Sequence, residues 1–212
     1  MLSDMQTEIL PASSSDTIPH AYEILQKGGL VAFPTDTVYG VGALAFDGKA
    51  VESIYVAKDR PAEKAIPILI GDPEDLEKVG MDIPDAARKL AARFWPGPLT
   101  ILVPKRLDLP ESVSATSTVG VRVPDHAVTR ALLRVTGPLA VTSANISGRQ
   151  SPVIAQEVYE QLGKRITLII DGGRTPGGIP STLVDCTTPE LKILREGPLS
   201  RDELRSALRN LE

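Results

Sequence analysis

Gly29-Leu30-Val31-Ala32-Phe33-Pro34-Thr35-Asp36-Thr37-Val38-Tyr39-Gly40-Val41-Gly42 is an apolar run that breaks into hydroxyl groups. Its first half reads as a short buried strand over residues 30–33. Small hydroxyl residues then stand where the strand hands over to a loop, and two glycines follow. Strand ends in α/β proteins are where ligands bind, because backbone and side-chain polar groups converge there. Three other segments repeat the pattern: Lys58-Asp59-Arg60-Pro61, Thr142-Ser143-Ala144-Asn145 and Pro180-Ser181-Thr182. Each follows or flanks an apolar element.

Outward from that stretch, helices and short strands alternate. A helix is expected near residues 17–27, with Ser13-Ser14-Ser15-Asp16 offering caps and Gly28-Gly29 ending it. Asp47 caps a second helix that carries Val51, Ile54 and Tyr55 on one face and stops near Lys58, since Pro61 cannot continue it. Further helices are expected over 85–94, from Asp125, and from about residue 200 to 210. Short strands are expected at 8–10, 66–70, 99–103, 119–123, 139–141, 168–170, 183–184 and 191–194. Pro67 marks 66–70 as an edge strand or a strand start. Several strands follow each other directly late in the chain, so the expected class is α/β with a mixed parallel and antiparallel sheet and helices packed on it.

The 212 residues, 42% of them hydrophobic, suffice for one domain with a sizeable core. No apolar run is long enough to cross a bilayer, and Met1-Leu2-Ser3-Asp4 lacks the basic and apolar regions of a signal peptide, so a cytosolic chain is expected. The net charge of −4 argues against a general nucleic-acid coat but allows a local basic cavity. Cys186 alone excludes an internal disulfide and reads as a small core residue at a strand end. His20 and His126 are too few for a multi-histidine zinc site, and no metal ligands are assigned.

Lys58 and Arg60, two apart at a helix end, read either as a solvated pair or as a phosphate clamp stiffened by Pro61. Arg122 interrupts the apolar strand Val119-Gly120-Val121-Arg122-Val123, on the face opposite Val121 and Val123. It must reach solvent, meet a structural partner, or bind an anion such as a substrate carboxylate. The hydroxyl and amide groups of residues 142–145 either bind phosphate or ribose or cap the next turn. Asp171-Gly172-Gly173-Arg174-Thr175-Pro176-Gly177-Gly178 matches neither phosphate-loop fingerprint and reads as a connection or a lid. Asp36, Asp125 and Asp185 read as caps or surface groups. The histidines have no nucleophile at a recognisable motif. Positioning and charge neutralisation are therefore the expected chemistry.

In order and approximate spacing, Pro34-Thr35-Asp36-Thr37-Val38-Tyr39-Gly40, Lys58-x-Arg60-Pro61, Ser143-x-Asn145 with Ser147-Gly148, and Pro180-Ser181-Thr182 resemble the YrdC-type threonylcarbamoyl-AMP synthases. The match runs from about Ile18 to Leu194. The resemblance implies a twisted sheet around a basic concave cavity, and a single domain over 1–212 of the family's short form. It implies a reaction of ATP, L-threonine and bicarbonate that yields threonylcarbamoyl-AMP and pyrophosphate, with Mg2+ on the triphosphate. A partner complex then transfers the threonylcarbamoyl group to a tRNA adenosine. By position, Lys58 and Arg60 would hold ATP phosphates and carry the catalysis, at the rim of the site. Thr118, Ser143, Asn145, Ser151 and Arg195 would add nucleotide contacts. Thr35, Arg122, Val141 and Ser181 would hold threonine. Where the family often has Asn-Pro-Leu and then a histidine, this chain has Lys64-Ala65-Ile66-Pro67-Ile68-Leu69-Ile70, so those contacts do not carry over. The alternatives are a tRNA- or double-stranded-RNA-binding protein of the same fold, or a carbamoyl-transfer domain.

Overall fold

The β-strands form a single ten-stranded sheet in a computed structural model that describes residues 6–188 and 190–209. In chain order they are β1 (Glu8–Pro11), β2 (Val31–Phe33), β3 (Gly40–Leu44), β4 (Ile68–Leu69), β5 (Leu99–Pro104), β6 (Thr118–Arg122), β7 (Leu139–Ser143), β8 (Leu168–Asp171), β9 (Thr182–Asp185) and β10 (Lys192–Arg195). Across the sheet the order is β1-β8-β2-β3-β7-β4-β6-β5-β9-β10. β8 runs parallel to β1 and β2, β4 to β6, and β5 to β9; the other pairs are antiparallel. The helices are α1 (Thr17–Gln26), α2 (Gly48–Lys58), α3 (Asp85–Phe94), α4 (Ala127–Thr136), α5 (Ala155–Leu162) and α6 (Arg201–Arg209). The expected helix end at residue 210 lies outside the described residues. None of these helices is long and apolar enough to cross a membrane.

Strand alternation sorts the core into two layers. Ala32, Val41, Ala43, Ile68, Ile101, Val121, Ala140, Ile169 and Val184 point to one face. There they join Val51 and Ile54 of α2, Leu90 of α3, Val158 of α5 and Leu204 of α6. Val31, Phe33, Leu69, Leu139, Val141, Leu168 and Ile170 point to the other face, under Ala21, Ile24 and Leu25 of α1 and Leu132 and Leu133 of α4. α1 and α4 pack on each other there, and they cover only the β8-β2-β3-β7 half. The outward residues of β6, β5 and β9 on that face, among them Gly120, Arg122, Thr100, Leu102 and Leu183, line a cavity instead.

Local chemistry explains most of the elements. Asp47 Oδ1 accepts the Ala50 amide at 3.1 Å and caps α2. Gly28, at φ +78°, closes the turn after α1. Cys186 is buried just past β9, as expected. β4 lies inside the sheet between β7 and β6. Pro67 is thus a strand start and not an edge: it sits just outside the ladder, and its carbonyl accepts the Val141 amide at 2.9 Å.

β3 and α5 are not foreseen by the sequence pattern. Two glycines in five residues depress the strand signal of β3. The structure supplies their reason. A Cβ on Gly40 would lie 2.7 Å from Val141 Cγ1, and one on Gly42 would lie 2.9 Å from Val141 Cγ2. The β3–β7 pair closes over Val141 only because both positions lack a side chain. Gly40→Ala should therefore cost about 1–3 kcal/mol of stability by overpacking. Val141→Ala in the same chain should recover part of that loss, as read by denaturant unfolding of the two single variants and the double variant.

Candidate functional site

The half of the sheet face that α1 and α4 leave open holds a cavity of about 430 Å3, in the range of small-molecule sites. Eight of the residues singled out by sequence line it: Thr35, Arg60, Thr118, Arg122, Val141, Ser143, Ser181 and Arg195. They come from the β2–β3 loop, the segment after α2, β6, β7, the residue just before β9, and β10. Ala65, Ile66, Pro67 and Leu69 form an apolar wall.

Arg122 is buried, and its guanidinium is held at three points. Nε donates to Gly97 O at 2.9 Å, Nη1 to Thr37 Oγ1 at 3.1 Å and Nη2 to Asp36 Oδ1 at 2.5 Å. Three of its five N–H donors are thereby used by the described residues. Burial pulls the guanidinium pKa down and the Asp36 charge opposes that pull. Asp36 is thus neither a cap nor a surface group: its side chain is 13% exposed and serves as the counter-ion of Arg122.

Thr35 organises its own loop. Its hydroxyl donates to Val38 O at 2.7 Å and accepts the amides of Thr37 and Val38, so its side chain shapes the pocket wall. Arg60 is half-buried and donates to the carbonyls of Lys64 and Ala65. Arg195 lies exposed at the rim, with Nε on Ser181 O at 3.0 Å and Nη2 on Ser181 Oγ at 3.1 Å. Ser181 Oγ also meets Thr100 Oγ1 at 2.7 Å.

Three residues stand apart from the cavity lining. Lys58 is 1% exposed rather than at a rim. Its Nζ donates to the carbonyls of Ser143 and Asn145, because the last turn of α2 packs beneath the loop after β7. Asn145 ties its own loop together without capping an amide: Nδ2 donates to Ile146 O at 2.8 Å and Arg149 O at 2.9 Å, while its buried Oδ1 has no partner among the described residues. Ser151 lies farther along the same loop and does not line the cavity.

Sequence reasoning missed Thr37, Thr100, Ser114 and Thr116, which also line the cavity. Ser114, Thr116 and Thr118 form a hydroxyl ladder with steps of 3.0 and 3.1 Å. The hydroxyl-rich run over residues 112–118, and a polar Thr100 in an apolar strand, are the signals that would have found them. The glycine-rich segment after β8 is pinned to the β2–β3 loop. Tyr39 Oη donates to Gly173 O at 2.7 Å, and a Cβ on Gly177 would lie 1.6 Å from Thr37 O. Pro176 and Gly177 line a second cavity of about 390 Å3 with Asp36 and Thr37.

A family model for Sua5, YciO and YrdC, described as telomere recombination, matches residues 23–197. Threonylcarbamoyl-AMP synthase of Pyrococcus abyssi is 44% identical over 87% of the chain, and that of Bacillus subtilis 38% identical over 93%. The chain spans only 55% and 58% of those two proteins. It spans 92% of a putative threonylcarbamoyl-AMP synthase of Mycobacterium tuberculosis, at 39% identity over 93% of the chain. Among solved structures, P. abyssi Sua5 complexed with L-threonine superposes with a TM-score of 0.91 at 40% identity, covering 96% of this chain and 61% of that one. E. coli YciO gives 0.84 at 27% identity, covering 94% and 98%.

Burial, with the Arg60 charge adding to it, pulls the Lys58 ammonium down to about 7. The unfolded chain keeps that proton up to about pH 10.4. Between these values unfolding takes up a proton, so folded stability rises with pH. The stability of the wild type relative to Lys58→Met should therefore rise across that window by on the order of 1.4 kcal/mol per pH unit. Denaturant titrations of both proteins from neutral to alkaline pH check this, and parallel curves would show a charged Lys58 inside.

Proposed function

The chain belongs to the Sua5/YciO/YrdC family, and we propose that it joins ATP, L-threonine and bicarbonate into threonylcarbamoyl-AMP, with release of pyrophosphate. One observation carries this reading: Arg60, Arg122 and Arg195 face a single cavity whose other polar groups are mostly hydroxyls. Two of the three proposed substrates would present a carboxylate and a triphosphate there, and guanidinium forks suit both.

In the proposed reaction bicarbonate gives up hydroxide to become CO2, and the amino nitrogen of threonine bonds to that carbon and loses a proton, which joins the hydroxide as water. A carbamate oxygen then attacks the α-phosphorus, and the bond from that phosphorus to the pyrophosphate oxygen breaks. The residues bind and orient these groups. The two N–H donors that Arg122 has left would receive the threonine carboxylate, beside Val141. Arg60 and Arg195 would hold phosphate oxygens, and the Ser114–Thr116–Thr118 ladder would donate to the nucleotide. Lys58 would hold the Ser143–Asn145 loop in place from beneath. No carboxylate lines the cavity among the described residues, so Mg2+ would be held chiefly by the triphosphate itself. The product would pass to a complex that transfers the threonylcarbamoyl group to tRNA. A cavity of about 430 Å3 is in the range of small-molecule sites.

Purified protein given ATP, Mg2+, bicarbonate and L-threonine should release pyrophosphate only when threonine and bicarbonate are both present, with threonylcarbamoyl-AMP identified by mass. Nucleotide turnover indifferent to threonine would reject the proposal. Arg122→Ala should raise the KM for threonine on the order of 100-fold with a smaller effect on the KM for ATP. Arg60→Ala should show the reverse bias in steady-state kinetics.

A further inference from the structure

The three guanidiniums of the cavity are not equivalent. Arg122 has a resident carboxylate, with Asp36 Oδ1 2.5 Å from its Nη2. Arg60 and Arg195 meet only neutral partners, the carbonyls of Lys64 and Ala65 and the carbonyl and hydroxyl of Ser181. Neither forms an ion pair among the described residues. The cavity therefore carries one compensated guanidinium and two uncompensated ones. Asp36 lines the second cavity and not the first, whereas Arg122 lines the first. Asp36 is buried enough that solvent screens its field weakly.

We infer that Asp36 is a charge filter: it lets Arg122 accept a singly charged carboxylate and turns away phosphate dianions, which keeps triphosphate and pyrophosphate at Arg60 and Arg195. The cost of stripping water from an ion grows as the square of its charge, whereas its attraction to Arg122 grows only in proportion. Asp36 lowers that attraction for every anion. A carboxylate with two directed N–H bonds still gains, while a dianion loses more hydration than it recovers. Without Asp36, Arg122 would be a general oxyanion site beside a polyphosphate substrate and its product.

This inference rests on the reading of Arg122 as the partner of the threonine carboxylate. The test is calorimetric titration of L-threonine into wild type and Asp36→Asn, each with and without inorganic phosphate. Asparagine keeps an oxygen acceptor for Nη2 and removes the charge. Phosphate should change the wild-type Kd for threonine by less than about twofold, and should raise that of Asp36→Asn in proportion to its concentration, to on the order of tenfold. A Kd in Asp36→Asn that phosphate leaves unchanged overturns the filter. So does phosphate competition in the wild type, an arm that needs no variant to fold. Asp36→Ser supplies a second charge-free variant. A wild type that binds no threonine rejects the parent reading instead.

Discussion

A positive charge cannot be buried without a partner, and the way Arg122 meets that requirement organises the site. Its guanidinium joins β6 to Gly97 in the turn after α3 and to Asp36 and Thr37 in the β2–β3 loop. These partners lie 25, 86 and 85 residues away in sequence. The loop they hold is the one that Thr35 folds around its own hydroxyl and that Gly177 touches from the far side. Moving Arg122 would release one wall of the first cavity and one wall of the second together.

The sheet explains why that cavity exists. One face is covered by α2, α3, α5 and α6, and the other only on the half beneath α1 and α4. Alternation then turns Thr100, Arg122 and Leu183 toward open space instead of a helix. The polar residues inside those apolar strands are therefore the site itself.

Much of this is legible in the sequence. Arg122 declares itself because a charge in an apolar strand demands a reason, and the amphipathic pattern over 85–94 coincides with α3. Asp47 marks the start of α2 by its capping chemistry. What stays hidden depends on partners far away in the chain. Lys58 looks like any lysine at a helix end until β7 brings the Ser143 and Asn145 carbonyls over it. Asp36 reads as a cap until β6 delivers Arg122. β3 escapes the pattern because its glycines answer to Val141 across the sheet and not to strand propensity.

The uncovered half-face has a thermodynamic meaning as well. Leu102, Leu183 and their neighbours line a hollow where a helix would otherwise complete the second layer. A guest in that hollow supplies the absent packing, so it acts as a removable piece of the core. Occupancy then adds to the stability of this half of the sheet in step with the logarithm of guest concentration. The resting strength of the β6–β5–β9 region and the supply of small molecules around the protein become two readings of one equilibrium.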